Sequence, residues 1–205
     1  MVGPAEIFTI FLVTLGPLKM LGPFAQRTRE LDNAMVRKIA VRAFVMATIA
    51  IVVGSFIGRA LLARWRVSIA ALAIAAGIIF FLVALRHLLE QYEPAGTAAV
   101  APLPADPTAA AIRLLFPIVL TPYGIATVIV LLAASREAQR TATIIALLVA
   151  VMVLNLIAML FARGIRVGFV TVVLQVLGAV LGVLQVALSI QFILRGLQLL
   201  GVISG

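Results

Sequence analysis

The chain has 205 residues, 64% hydrophobic and 11% charged, with a mean hydropathy of +1.26; a soluble domain carries about 25% charged residues, so a water-soluble fold is excluded. Zero cysteines exclude structural disulfides, thiolate catalysis and Cys-based zinc sites, and a single histidine, His87, removes paired-His metal sites and most acid–base relays. The net charge of +9 does not mark a nucleic-acid binder: the basic residues fall in short clusters between apolar runs (Arg27, Arg29, Arg37, Lys38, Arg42; Arg59, Arg64, Arg66; Arg163, Arg166), as expected of loops at an anionic membrane face.

A helix needs about 20 apolar residues to cross the hydrocarbon core. That template predicts six spans, at 3–25, 40–62, 67–88, 112–134, 142–162 and 169–196. The start, "MVGPAEIFTIF", lacks the basic region and small-residue cleavage site of a signal peptide and reads as part of the mature chain. The first span is interrupted by "TLGPLKMLGPF" (Thr14 to Phe24), with two Gly-Pro pairs and Lys19 at membrane depth. Gly54 and Gly58 on the second span, and Ala73 and Gly77 on the third, are small-xxx-small pairs that allow close backbone approach. Arg86 and His87 end the third span at the interface. A Pro/Ala-rich linker follows over 90–111, "EQYEPAGTAAVAPLPADPT". The fourth span carries its own break at "LTPYGIA", the fifth holds Asn155 at its centre, and the last carries Gly178 and Gly182 with Gln175, Gln185 and Gln191.

The linker divides the chain into halves, 1–89 and 112–205, that resemble each other. Pro17 and Pro122 stand 105 residues apart, each in the first span of its half, and the same offset sets Ala73 and Gly77 on Gly178 and Gly182. Arg29-Glu30 and Arg136-Glu137 follow the two broken spans. Three spans per half is an odd number, so the second half enters the membrane with opposite polarity. The predicted fold is an all-α integral membrane protein of six transmembrane helices, arranged as two inverted three-helix repeats with proline-broken first and fourth helices. The Lys/Arg distribution places both termini outside.

A break at membrane depth has a chemical meaning. It frees backbone N–H and C=O groups, and in lipid each unpaired group costs several kcal/mol, so such a segment must face protein or a water-filled cavity. Two breaks in symmetry-related spans present helix N-termini to a carboxylate and freed carbonyls to a cation or ammonium. The candidate substrate-binding residues are Gly16, Pro17, Leu18 and Lys19 of the first span, Thr121, Pro122, Tyr123 and Gly124 of the fourth, and Asn155. Lys19 has two readings: a functional charge, since an ionisable group within a span costs about 2.5–3.5 kcal/mol to insert, or a side chain snorkelling to the second interface. Asn155 lines the path or makes an interhelical hydrogen bond worth about 1 kcal/mol. No paired carboxylates and no nucleophile–base or metal set share a span, so neither enzyme activity, cofactor nor metal is expected.

"GPLKMLGPF" in the first span, "AIAAGIIFFLVAL" in the third, "PIVLTPYGIATVIVL" in the fourth and "SIQFILRGL" in the last resemble the MarC family of bacterial integral membrane proteins over nearly the whole chain. That resemblance implies six spans in the bacterial inner membrane. The family's name, multiple antibiotic resistance, reflects genetic neighbourhood, and some relatives are described as transporters of small neutral amino acids such as glycine and alanine. This chain departs from the family in having Gly16-Pro17-Leu18-Lys19 where Asn-Pro is common, and Thr121-Pro122-Tyr123-Gly124 in the fourth span. The expected function is secondary transport of small neutral amino acids or similar metabolites by alternating access. Lys19 and the helix ends at Pro17 and Pro122 would hold the carboxylate, Thr121 and Tyr123 would offer hydroxyls, and Asn155 would line the path. Expected partners are the amino-acid-like solute, a coupling H+ or Na+, membrane lipids and a second copy in a homodimer. The alternatives are a passive pore, a lipid-handling protein or a structural membrane partner.

Overall fold

The computed structural model describes residues 3–90, 103–135, 137–162 and 169–203; the side chains of 18, 19, 83, 86–90, 117, 169–179 and 181 lie outside that description. Among the described residues every element is helical: α1 (Pro4–Leu15), α2 (Pro17–Arg27), α3 (Asn33–Arg64), α4 (Ile69–Glu90), α5 (Pro107–Leu114), a π-turn (Leu115–Val119), α6 (Pro122–Ala133), α7 (Ala138–Phe161) and α8 (Phe169–Leu199). The expected placements for Arg136, Arg163 and Arg166, for the side chains of Arg86, His87 and Gln175, and for the surroundings of Gly178 fall outside the described residues.

Prolines set where helices begin. A residue before proline is pushed out of the helical region by the ring, while proline itself fits the first helical position, whose N–H would lack an intrahelical partner in any case. Pro4, Pro17, Pro107 and Pro122 each open a helix. The residues before them are extended, with φ/ψ of −78/167° at Gly3, −70/166° at Gly16, −73/124° at Asp106 and −99/143° at Thr121. The interruptions therefore differ in mechanism from the expected mid-helix proline: Pro17 and Pro122 start helices, and Gly16 and Thr121 break the chain direction. Pro23 stands inside a helix, in α2, and Pro117 lies within the π-turn. Side chains complete several starts: Asp32 accepts from Met35 N (3.3 Å), Asp106 from Ala109 N (2.8 Å) and Thr121 from Gly124 N (3.2 Å). The Asp106 cap opens α5 at Pro107, within the segment expected as linker.

Four helical segments are long and apolar enough to cross a membrane: Pro4–Arg27, Asn33–Arg64, Ala138–Phe161 and Gly182–Leu199; Ile69–Leu82 and Pro122–Ala133 are shorter apolar helices. Helix α3 shows why lipid is the surrounding solvent. Val36, Ala40, Ala43, Ala47, Ile51 and Ser55 are buried, whereas Val41, Val45, Ile49, Val53, Ile57 and Leu61 are exposed. Both stripes recur at about four-residue spacing, so the helix is apolar on its inner and its outer face, as in a membrane span. Trp65, 68% exposed between Arg64 and Arg66, ends α3 with the residues of an aqueous interface.

Packing runs between the halves. Helix α3 lies against α5, α6 and α7; α1 and α2 lie against α7; and α4 lies along α8. The α4–α8 pair is antiparallel: Gly77 faces Ser189 and Ile193, and Gly196 faces Ala70 and Ile74. A Cβ at Gly77 would stand 2.7 Å from the Ser189 carbonyl, so glycine there sets the helix separation. Gly58 plays the same part against Ile129, but Gly54 has nothing within 4 Å, and the expected Gly54/Gly58 packing face reduces to Gly58 alone. Gly77→Ala is expected to destabilise by about 1–3 kcal/mol through overpacking, exceeding the roughly 1 kcal/mol gained in helix propensity. Gly54→Ala should be neutral or stabilising. Thermal melting of the two variants in the same detergent checks the contrast.

Candidate functional site

Three carbonyls at the end of α1 define the site. In a continuous helix, the N–H groups of residues 17, 18 and 19 would bond the carbonyls of Val13, Thr14 and Leu15. Proline at 17 has no N–H, and the extended Gly16 turns the next helix away, so these carbonyls lose their intrahelical partners. Each finds a side chain from the other half. Gln185 Nε2 of α8 donates to Val13 O (3.3 Å), Thr121 Oγ1 before α6 donates to Thr14 O (3.1 Å), and Asn155 Nδ2 of α7 donates to Leu15 O (2.7 Å). The break in the first half is held open by three elements of the second.

Steric demands at the junction are equally specific. A Cβ on Gly16 would lie 1.8 Å from the Leu12 carbonyl oxygen, so no other L-residue fits this turn without moving backbone. A Cβ on Gly124 would meet Leu15 Cδ2 at 2.3 Å and Thr121 Oγ1 at 2.7 Å. Glycine at 124 thus lets the first turn of α6 seat against the end of α1 while Thr121 caps that turn.

The second break lies beside the first. Phe116 leaves helical geometry (φ −129°, ψ 131°) before Pro117, and Leu120 is extended (φ −104°, ψ 117°) with its N–H on Leu115 O at 2.8 Å. Tyr123 is buried, its ring stacked on Phe80 with centroids 4.9 Å apart and planes 21° apart. Val13 and Leu188 complete this apolar cluster next to the junction.

Of the residues singled out from the sequence, Gly16, Thr121, Gly124 and Asn155 meet at the end of α1, and Pro17 and Pro122 open the two helices that leave the breaks. Pro122 itself is exposed. Leu18 and Lys19 belong to the first turn of α2, and their side chains lie outside the described residues. The Thr121 hydroxyl is engaged by backbone on both sides, donating to Thr14 O and accepting from Gly124 N. Asn155 makes an interhelical hydrogen bond, and its other amide atom, Oδ1, is buried without a partner among the described residues. A buried acceptor left without a donor costs about 1–3 kcal/mol, which marks this atom as the chemically unfinished point of the junction. Phe80 is a site residue that sequence reasoning missed, and Gln185, named there among the glutamines of the last span, was not placed at the junction. Among the described residues, no group of three or more His, Cys, Asp or Glu side chains gathers to hold a metal.

No curated protein and no solved structure matches the chain. The family model of the MarC family integral membrane proteins matches residues 4–200. That match runs from the first residue of α1 to the end of α8 and includes both breaks, so the chain belongs to the MarC family of integral membrane proteins.

Proposed function

We propose that this protein is a secondary transporter of small neutral amino acids or similar small metabolites, with its solute site at the junction of the two broken helices. The observation that carries the reading is the junction itself: backbone carbonyls freed from the α1 helix, the N-terminus of α2 starting just after Gly16, and Asn155 Oδ1 buried without a donor among the described residues. A zwitterion supplies what each end needs. Its ammonium donates to Asn155 Oδ1, and its carboxylate takes the free N–H groups of the first turn of α2, with Lys19 of that turn adding positive charge. Gly16 and Gly124 let the first turn of α6 seat against the end of α1, and Thr121 and Gln185 hold the freed carbonyls in place.

An inverted-repeat architecture of six spans supports alternating access, with the bacterial inner membrane as its setting. Helices start 105 residues apart at Pro17 and Pro122 and again at Asn33 and Ala138, and the shorter apolar helices in α4 and α6 supply the fifth and sixth crossings. Because α3 and α4 pack on the second half, rocking one repeat against the other would open the junction to one side at a time, driven by H+ or Na+.

Reconstitution tests this. Proteoliposomes holding the purified protein should accumulate labelled alanine or glycine in a saturable manner when a proton or sodium gradient is imposed, and Asn155→Leu should lower uptake at least tenfold. Uptake equal to that of protein-free liposomes under both gradients would remove the transporter reading.

A further inference from the structure

A second feature lies on the far side of Leu188 from the junction, where the start of α4, the last turn of α6, the start of α7 and the end of α8 converge. These helix ends enclose a cavity of about 300 Å³, at the lower end of the size range of ligand pockets. Its wall is apolar, with Ile10, Ala73, Val130, Leu188 and Phe192 among the lining residues, yet it also carries Arg140 and Arg195. Among the described residues, Arg140 Nε is buried without a hydrogen-bond partner and neither guanidinium has an ion pair. A buried guanidinium donor needs an acceptor, and its planar fork matches phosphate or carboxylate oxygens. Ile69 at the start of α4 also lines the cavity, a few residues along the chain from the exposed Trp65 and its flanking Arg64 and Arg66, which carry the composition of an aqueous interface.

We propose that this cavity binds an anionic lipid, one acyl chain lying against Ile10, Val130, Leu188 and Phe192 and the headgroup oxyanion accepting from Arg140 and Arg195. Its chemistry is that of an amphiphile: the apolar wall offers a neutral polar solute almost no hydrogen bonds, and an inorganic anion leaves that wall empty. The lipid would bridge α1 and α4 of the first half to α6, α7 and α8 of the second. The site adjoins the junction's apolar cluster through Leu188, but its arginines take no part in the junction and it does not depend on the transport reading.

Native mass spectrometry of the full chain in a neutral detergent, stripped of lipid and titrated with defined probes, tests the proposal. Phosphatidylglycerol should bind at least tenfold more tightly than phosphatidylcholine of the same chains, and the preference should fall below threefold in the Arg140→Gln/Arg195→Gln variant. It should survive Arg64→Gln, which removes a charge at the same membrane face but outside the cavity. The single variant Arg195→Gln, at an exposed position, supplies the readout if the double variant does not fold, and should lower the preference at least threefold. Ala73→Phe, which fills the cavity and keeps both arginines, should weaken phosphatidylglycerol binding. Palmitate binding as tightly as phosphatidylglycerol would identify a carboxylate as the headgroup and support the same site. Equal binding of the two phospholipids, a preference that persists without the arginines, or competition by inorganic phosphate alone at matched concentration would overturn it.

Discussion

Gly16→Ala is expected to be the most damaging glycine-to-alanine change among the described residues. The new Cβ would stand 1.8 Å from the Leu12 carbonyl oxygen, a backbone atom of the preceding helical turn that cannot rotate away. Overpacking costs about 1–3 kcal/mol where side chains can give, and here the relief must come from the backbone that forms the junction, so about 3 kcal/mol is expected. Moving that backbone also separates the Val13, Thr14 and Leu15 carbonyls from Gln185, Thr121 and Asn155. The variant should melt well below the parent and lose solute binding even where it remains folded. Gly54→Ala, with open space at its Cβ, provides the matched methyl addition that should do neither. Thermal denaturation followed by intrinsic fluorescence or by loss of monodisperse protein distinguishes the two.

Asn155→Asp should rank next. The Leu15 carbonyl can only accept, so Asn155 must present its NH2 group to it, and an ionised aspartate has no donor to offer. The substitution places two acceptors 2.7 Å apart, or moves them apart and leaves the carbonyl unpaired. A charge at the centre of a span adds about 2.5–3.5 kcal/mol on insertion scales. Asn155→Leu loses the same hydrogen bond without the charge and should cost about 1–3 kcal/mol. Measured by titration with a denaturing detergent, aspartate should fall below leucine, and leucine below the parent. A leucine variant as stable as the parent would show that the Leu15 carbonyl does not depend on Asn155.

The sequence signals for this architecture differ in strength for physical reasons. Breaks at Pro17 and Pro122 are legible because proline constrains its own φ, its missing donor and the residue before it, all local effects. The spacing of the two prolines is legible as well, and each stands the same distance before the next helix start, at Asn33 and at Ala138. Which donors meet the freed carbonyls is a different matter. Gln185 and Gln191 lie on the same apolar helix and look alike in sequence, yet Gln185 is 3% exposed and bonded to Val13 O across 172 residues, while Gln191 is exposed and lines the arginine cavity. Only the packing of α8 against α1 and α4 tells them apart. How the two sides of the linker pack was not legible: α3 and α4 make their contacts with α5 to α8, so the segments before and after the linker share one packed body. The small-xxx-small pattern overstated Gly54 and missed Gly196, because glycine spacing says nothing about which helix face meets a neighbour.

The absence of cysteine makes the central claim directly measurable, since a thiol introduced at the junction is unique in the chain. Thr121→Cys places that thiol where Thr121 now contacts Thr14 O and caps α6. The rate of its modification by a small membrane-impermeant thiol reagent should be measurable in proteoliposomes and should fall at least fivefold in saturating alanine or glycine, with no such protection by an uncharged polyol of similar size. A thiol that the reagent never reaches in folded protein, or one modified at the same rate with and without amino acid, would contradict a solute site at the broken-helix junction.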